Sequence, residues 1–172
     1  MTLTNKTIAI LLENQYQELE VWYPYYRLKE EGAEVWLVAP EKGKEYHGKF
    51  GYPAMSEKSI DEIAAIDLDA IVIPGGYAPD YMRRNKKMIE LVRDMDKNNK
   101  IIAAICHAGW MLASADIVKG KRITSFFAIK DDMVHAGANW VDEEVVRNGN
   151  IITSRKPEDL PAFCRTMISA LS

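Results

Sequence analysis

Short apolar runs alternate along the chain with longer segments in which apolar residues recur every three or four positions. Runs of the first kind are typical of buried strands, and segments of the second kind are typical of helices. The runs cover residues 7–12, 34–39, 69–76, 101–105 and 122–126. The helical segments cover residues 18–31, 86–97, about 108–115, 129–136 and 158–171. Because strands and helices alternate, the pattern predicts a mostly parallel sheet with helices on both faces.

Two regions interrupt this alternation and predict hairpins. Residues 41–59 are rich in Gly, Lys and aromatic residues and predict an irregular excursion that contains a small hairpin. The Asn148-Gly149 pair lies between two apolar runs and predicts a tight hairpin turn. No internal repeat, low-complexity tract or linker separates these elements, so the sequence predicts one domain over residues 1–172.

Composition and charge remove several classes of function. The chain has 172 residues, 48% of them hydrophobic, and a formal net charge of −3, whereas a nucleic-acid-binding domain would be basic. No apolar run approaches the roughly 18–20 residues of a membrane span, and the amino terminus lacks a signal-peptide pattern. Cys106 and Cys164 form neither a metal-binding spacing nor a disulfide framework. We therefore expect a cytoplasmic protein without a metal or other cofactor, a nucleic-acid partner or a membrane partner.

The most informative stretch is IIAAICHAGWML at residues 101–112, where five apolar residues run straight into a Cys-His pair. A cysteine at a strand-to-helix turn would meet the unpaired N–H groups of the helix, which stabilise a thiolate, as at a nucleophile elbow. The glycines after the third strand, Gly75 and Gly76, would allow a substrate to approach the backbone. The N–H groups of Gly76 and His107 could then hold an oxyanion. The alternative is that Cys106 is a buried cysteine that merely ends a strand.

Four stretches together resemble the PfpI family of intracellular cysteine proteases, in the superfamily of the Parkinsonism-associated deglycase and the class I glutamine amidotransferase fold. They are LEVWYPYYRLKEEGAEV at 19–35, AIVIPGGYAPD at 70–80, AICHAGWMLASADIVKGKRITS at 104–125 and IKDDMVHAGANWVDEEVVRNGNIITSR at 129–155. The resemblance covers nearly the whole chain in order. It implies an α/β fold, a flavodoxin-like three-layer sandwich.

The resemblance also implies roles for particular residues. Cys106 matches the family's nucleophile, with His107 beside it, and Glu20 matches the carboxyl group that hydrogen-bonds the cysteine sulfur. A protonated Glu20 would lower the pKa of the thiol, whereas an ionised one would raise it. Asp80 falls where the family carries a Glu, one methylene longer, that reaches the histidine of a neighbouring subunit and completes a triad. The alternative is that Asp80 is a loop acid without a catalytic role.

Three features of the sequence depart from the family's pattern. Ala108 and Gly109 follow the Cys-His pair, where relatives have Gly-Pro. Phe126 stands in the substrate pocket where relatives often have Tyr, so a hydroxyl group that could assist proton transfer is missing. Gln17 replaces an acid often found at the pocket rim. These departures predict the same chemistry as in the family, at a site whose proton-transfer groups and pocket rim differ.

Three functions remain open at this stage. The family resemblance implies a cysteine hydrolase that acts on peptides through a thioester, or on small 2-oxoaldehydes such as methylglyoxal, which is glyoxalase or deglycase chemistry. A redox-sensing or protective protein is the non-enzymatic alternative, because exposed thiolates oxidise readily. A glutamine amidotransferase subunit is disfavoured, because no His-x-Glu motif follows Cys106.

The resemblance and one surface feature predict self-association. PfpI-type proteins form homodimers or hexamers, and the aromatic cluster of the first helix exceeds what one helix face can bury in a small domain. The cluster comprises Trp22, Tyr23, Tyr25 and Tyr26. Its alternative is burial under residues 41–59. Cys164 lies among apolar residues at helical spacing and is expected in the core.

Overall fold

The structure is a computed structural model that describes residues 1–172. Seven strands form the main sheet, and each of two smaller sheets has two short strands. In chain order the strands are β1 Thr7–Leu11, β2 Glu34–Ala39, β3 Glu45–His47, β4 Pro53–Met55, β5 Lys58–Ser59, β6 Ala70–Ile73, β7 Ile101–Ile105, β8 Arg122–Ile123, β9 Asn139–Trp140, β10 Val145–Asn148 and β11 Ile151–Ser154. The main sheet has the order β10-β11-β7-β6-β1-β2-β5, and all its pairs are parallel except β10 with β11.

Helices cover both faces of the main sheet. They are α1 Glu18–Glu30, α2 Ala78–Met82, α3 Lys86–Lys97, α4 Gly109–Ser114, α5 Lys130–His135 and α6 Leu160–Leu171. On one face α1 packs against α6, and on the other face α3 and α4 pack against the sheet while α2 and α5 pack against α4. The central strands β1, β6 and β7 are almost wholly buried, as expected for parallel strands covered on both faces. The predicted α/β sandwich is thus the observed architecture.

The order of the strands places a crevice at one edge of the sheet. The chain moves from β1 to β2 in one direction, and β6 then lies on the opposite side of β1. Connections that leave in opposite directions open a gap outside the carboxyl ends of the two strands, where ligands bind in open α/β sheets. The loops after β1, β6 and β7 all reach this edge.

The structure changes several details of the predicted elements. Residues 122–126 do not form a strand of the main sheet, because the strand here is only Arg122–Ile123 and it pairs with β9 in a separate sheet. The strand predicted over residues 69–76 is β6, and it ends at Ile73, before the Pro-Gly-Gly sequence. The five-residue helix α2 was not predicted, since it is too short to show periodicity. Both predicted hairpins are present, as β3–β4 and β10–β11.

The end of α1 agrees with the sequence prediction, whereas the start of α4 differs from it. Helix α1 ends before Gly32, whose φ of +91° is the left-handed conformation expected after a helix carboxyl end. Helix α4 is shorter than predicted, because residues 106–108 form a 3₁₀ turn before it begins. None of the helices is long and apolar enough to cross a bilayer.

Candidate active site

Cys106 lies at a sharp turn between β7 and α4. Its φ of +63° is in the left-handed region, which residues other than glycine rarely adopt, while the preceding Ile105 is extended. Strained backbone of this kind persists where surrounding structure imposes it, and it is concentrated at functional sites. The turn therefore has the backbone form of a nucleophile elbow, as the sequence predicted.

Two glycines after β6 make room for the cysteine. A Cβ atom on Gly75 would lie 2.6 Å from Cys106 Cβ and 2.7 Å from Glu20 Oε2, closer than real contacts allow. Gly76 has a φ of +72°, and a Cβ atom there would lie 2.3 Å from the carbonyl oxygen of Gln15. A side chain at Gly75 would displace Cys106 or Glu20, and a side chain at Gly76 would displace the neighbouring loop. Gly75 is thus required by its contact with Cys106 and Glu20, and Gly76 by its backbone conformation and its contact with the loop at residues 15–17.

Glu20 reaches the thiol from the first turn of α1 and is completely buried. Its Oε2 accepts a hydrogen bond of 2.7 Å from the N–H of Gly75, while its Oε1 is buried without a partner. Burying a half-satisfied carboxylate is unfavourable, and this burial raises the pKa of Glu20 to about 7. The N–H of Gly75, the charge of Lys49 and the Cys106 thiol act in the opposite direction.

His107 contacts the sulfur directly. Its Nδ1 lies 3.2 Å from Cys106 Sγ, which is hydrogen-bond distance for a thiol and an imidazole nitrogen. The ring stacks on Phe126 with centroids 5.0 Å apart and meets the edge of Trp110 at 5.1 Å. Burial and the charge of Lys49 lower the pKa of His107, so the imidazole is neutral near pH 7 and can accept a proton.

The thiol itself differs from the sequence expectation of a stabilised thiolate. Burial, and after it the charge of the nearby Glu20 carboxylate, raise the pKa of Cys106 to about 12. The N–H groups of Gly76 and His107 do point at the sulfur and lower the pKa, as the elbow geometry predicts, but burial outweighs them. Cys106 therefore rests as a neutral thiol, and its side chain is buried rather than pushed outward.

The site opens into a cavity of about 270 Å³. Six residues that the sequence analysis named line it, namely Gln17, Glu20, Gly76, Cys106, His107 and Phe126. The remaining lining residues are Lys49, Tyr77, Lys156 and Pro157. The structure thus gathers a thiol, an imidazole and two backbone N–H donors around a cavity large enough for a small molecule. No group of three or more His, Cys, Asp or Glu side chains is arranged to hold a metal ion.

The sequence of this chain matches the model of the DJ-1/PfpI family over residues 6–170. The protein belongs to the DJ-1/PfpI family. The family resemblance inferred from the four sequence stretches is thereby confirmed.

Relatives of this protein include proteins named as deglycases and a protein named as a cysteine protease. The Deglycase PfpI of Pyrococcus furiosus is 43% identical over 164 residues, which cover 95% of this chain and 98% of the relative. The YraA protein of Bacillus subtilis, provisionally named a cysteine protease, is 40% identical over 167 residues, which cover 97% of this chain and 99% of the relative. A crystal structure of a two-domain protein from Anabaena variabilis, with DJ-1/ThiJ/PfpI-like and ferritin-like domains, superposes with a TM-score of 0.95 at 39% identity. That match covers 97% of this chain and 48% of the two-domain protein.

Asp80, the acid expected to complete a triad in this DJ-1/PfpI protein, does not contact His107 of its own chain. It lies in α2 and forms an ion pair with Arg84, one turn along the chain. The acid whose charge acts on His107 is instead Asp132, which raises the pKa of the imidazole. The carboxylate of Asp132 also accepts a hydrogen bond of 2.8 Å from Trp110 Nε1. A role for Asp80 across a subunit interface stays a prediction.

Sequence reasoning did not find Lys49 and Lys156 in the site of this DJ-1/PfpI protein. Lys49 lies between β3 and β4, and Lys156 follows β11, so neither belongs to an element with a periodic pattern. The sequence placed Gln17 at the pocket rim, and the structure places it there, where its side chain caps α1 by accepting a bond from the N–H of Leu19. The position of the Lys49 charge near the Cys106 thiol follows only from the folded structure, because the two residues are far apart in the sequence.

Proposed function

We propose that this protein is a cysteine-dependent enzyme that attacks electrophilic carbonyl carbons, with Cys106 as nucleophile and His107 as proton carrier. The single observation that supports this most is the 3.2 Å contact between Cys106 Sγ and His107 Nδ1 beside a small cavity. A nucleophile within hydrogen-bond reach of a neutral base is the basic arrangement of covalent catalysis. The proposed location is the cytoplasm.

The first step moves one proton and forms one bond. The thiol gives its proton to His107 Nδ1 while sulfur attacks the carbonyl carbon, and the carbonyl oxygen takes the electron pair. The N–H groups of Gly76 and His107, which point at the sulfur, are placed to receive this oxygen. A protonated Glu20 adds no negative charge beside them, and its pKa of about 7 allows that form at neutral pH.

Small carbonyl compounds suit the cavity best. With a 2-oxoaldehyde, the first step gives a hemithioacetal; a proton then moves from the former aldehyde carbon to the adjacent carbon and gives a thioester. Water releases a 2-hydroxy acid and regenerates the thiol, so no redox partner is needed. A cavity of about 270 Å³ holds such a substrate. The name of the Pyrococcus furiosus relative, a deglycase, supports the same carbonyl chemistry.

Peptide hydrolysis is a second candidate, supported by a different feature. A second cavity, of about 380 Å³, shares Phe126 and Lys156 with the first and could hold chain that continues beyond the reacting carbonyl. The provisional protease name of YraA is in line with this. Redox sensing without turnover is less well supported, because a buried neutral thiol oxidises slowly.

We propose further that the protein works as a homodimer or a hexamer. Leu19, Trp22, Tyr23 and Tyr26 line an open depression of about 560 Å³ on α1, and Tyr26 is 63% exposed. Exposed aromatic surface of this kind favours a second copy of the chain. In such an assembly Asp80 of one subunit would approach His107 of another.

The test is formation of lactate from methylglyoxal by the purified protein, with added chelator. We expect turnover in the wild type and in the control Cys164→Ala, since Cys164 is buried in α6 away from the site. We expect none in Cys106→Ala. Equal inactivity of the wild type and Cys106→Ala would refute the small-carbonyl proposal, and a peptide-hydrolysis assay of the same variants would then decide the second candidate.

A further inference from the structure

Two lysines line the active-site cavity and have no assigned role in the reaction. Lys49 and Lys156 are both exposed, and both form part of the wall of the space that contains Cys106 and His107. They come from separate loops, one between β3 and β4 and one after β11. Their chain separation means that the fold, rather than a local run of basic residues, brings two positive charges to one cavity.

The backbone around Lys49 is fixed rather than loose. The N–H of Lys49 donates to the carbonyl oxygen of Tyr16 at 2.9 Å, and the next N–H, of Phe50, donates to Glu18 Oε1 at 2.6 Å. A Cβ atom on Gly48 would lie 2.2 Å from that same carboxylate oxygen, so the loop sits tightly against the start of α1. Lys49 is therefore carried to the cavity by a defined loop.

The backbone around Lys156 is fixed as well. The carbonyl oxygen of Lys156 accepts a bond of 3.0 Å from the N–H of Asp159. On its other side, Arg155 donates three hydrogen bonds to the carboxylate of Asp159, from its backbone N–H, Nε and NH2 group. These contacts hold the turn that follows β11.

The charges of the two lysines are not neutralised within the chain. Neither forms an ion pair within 4.0 Å, whereas the adjacent Arg155 is paired with Asp142 and Asp159. The only carboxyl group in the cavity wall is Glu20. In a protein with a net charge of −3, this cavity is locally positive.

The charge of Lys49 changes the pKa values of the three ionisable groups around the sulfur. It lowers the pKa of Cys106, of Glu20 and of His107. Opposing contributions come from Asp132, which raises the pKa of His107, and from Glu158, which raises that of Glu20. Lys49 therefore lies within electrostatic reach of any molecule bound at the sulfur.

We propose that Lys49 and Lys156 select substrates that carry an anionic group, a carboxylate or a phosphate, beyond the reacting carbonyl. This inference rests on the proposed carbonyl chemistry at Cys106 and specifies the class of substrate. One positive charge on each of two loops attracts the anion to the cavity and orients its carbonyl toward the sulfur. Because both lysines are exposed, each contributes a modest factor, and the attraction weakens with salt.

The first test does not depend on turnover. Iodoacetate and iodoacetamide are nearly the same size, and both react with Cys106 by displacement of iodide, but only iodoacetate is anionic. The readout is the ratio of their alkylation rates at Cys106, measured by mass spectrometry at pH 8.5 in low salt. Changes in thiol reactivity affect both reagents alike and cancel in this ratio.

We expect the iodoacetate-to-iodoacetamide ratio to fall about tenfold in the double variant Lys49→Gln, Lys156→Gln, a few-fold for each exposed charge. The ratio should also fall in the wild type at about 1 M salt, where the Debye length is about 3 Å. Arginine at both positions should restore it. Lys119→Gln is the matched control, since Lys119 is exposed and lies outside the cavity. An unchanged ratio in the double variant would overturn the proposal.

The second test uses two carbonyl substrates, phenylglyoxal and 4-carboxyphenylglyoxal, which differ only in the anionic group. We expect the wild type to show the higher kcat/KM for the carboxylated compound, through a lower KM, and the double variant to lose this preference. Turnover of both compounds with equal kcat/KM in the wild type would refute anion selection and leave the carbonyl chemistry standing. If neither compound is converted, it is the proposed function that fails, and the alkylation ratio still decides whether the lysines select anions.

Discussion

Replacement of Glu20 by Gln should stabilise the protein in a manner that depends on pH. The carboxyl group is completely buried, and its pKa in the folded chain is about 7 instead of the ordinary 4.5. At 1.36 kcal/mol per pH unit, this displacement corresponds to about 3 kcal/mol of lost stability once the group is ionised. Gln is close to isosteric and stays neutral, and its carbonyl oxygen can still accept the bond from Gly75.

The sign follows from which form the folded chain prefers. A raised folded-state pKa means that folding favours the protonated acid, so the wild type carries no penalty below pH 4.5. Its stability then falls as pH rises toward 7, and the penalty is constant above that value. The free energy of unfolding of Glu20→Gln minus that of the wild type should therefore increase by about 2–3 kcal/mol between pH 5 and pH 8.

Urea denaturation at several pH values measures this difference directly. The packing of a new amide shifts the variant's stability equally at all pH values, so only the slope with pH is diagnostic. Glu90→Gln is the control, because Glu90 pairs with Lys86 on the exposed side of α3 and should show almost no slope. A difference between Glu20→Gln and wild type that does not change from pH 5 to pH 8 would show that Glu20 ionises normally and that the burial argument is wrong.

Three further outcomes are expected. Alkylation of Cys106 by iodoacetamide should continue to accelerate from pH 7 to pH 10, because burial holds its pKa near 12, and a plateau below pH 8 in mass-spectrometric rates would contradict this. Gly75→Ala should abolish lactate formation and lower stability by about 1–3 kcal/mol in urea denaturation, because its methyl group would lie 2.6 Å from Cys106 Cβ; a fully active variant would contradict the tight contact. Tyr26→Glu should shift the protein toward monomer in sedimentation analysis, because it places a charge on the exposed surface of α1, and an unchanged oligomer would locate the interface elsewhere.

The sequence predicted the layers of the fold because the buried strands are short and apolar throughout. It misjudged residues 122–126 for the same reason, since a short apolar stretch does not reveal whether it joins the main sheet. Only Arg122–Ile123 became a strand, and the next residue, Thr124, donates its N–H to the side chain of Thr153 instead. Short elements such as α2 give no periodic signal.

The part of the candidate site that could be predicted consists of residues that directly follow a buried strand. Cys106 follows five apolar residues, and Gly75 and Gly76 follow another strand, so their meeting at one edge follows from parallel strands. The direction of the pKa change of Cys106 was not predictable, because it depends on how deeply the elbow is buried and on the ionisation of Glu20. Lys49 escaped notice because it lies in an irregular loop.

The raised pKa of Cys106 is compatible with catalysis if ionisation is coupled to attack. At rest the thiol and His107 are both neutral, so the contact between Sγ and Nδ1 involves no net charge. Transfer of the proton creates an imidazolium, and formation of the C–S bond moves the negative charge from sulfur to the carbonyl oxygen, toward the N–H groups of Gly76 and His107. The charge is thus developed only when a carbonyl is present to receive it. Such a site suppresses reaction of the thiol with other electrophiles and oxidants, which favours an enzyme over a sensor.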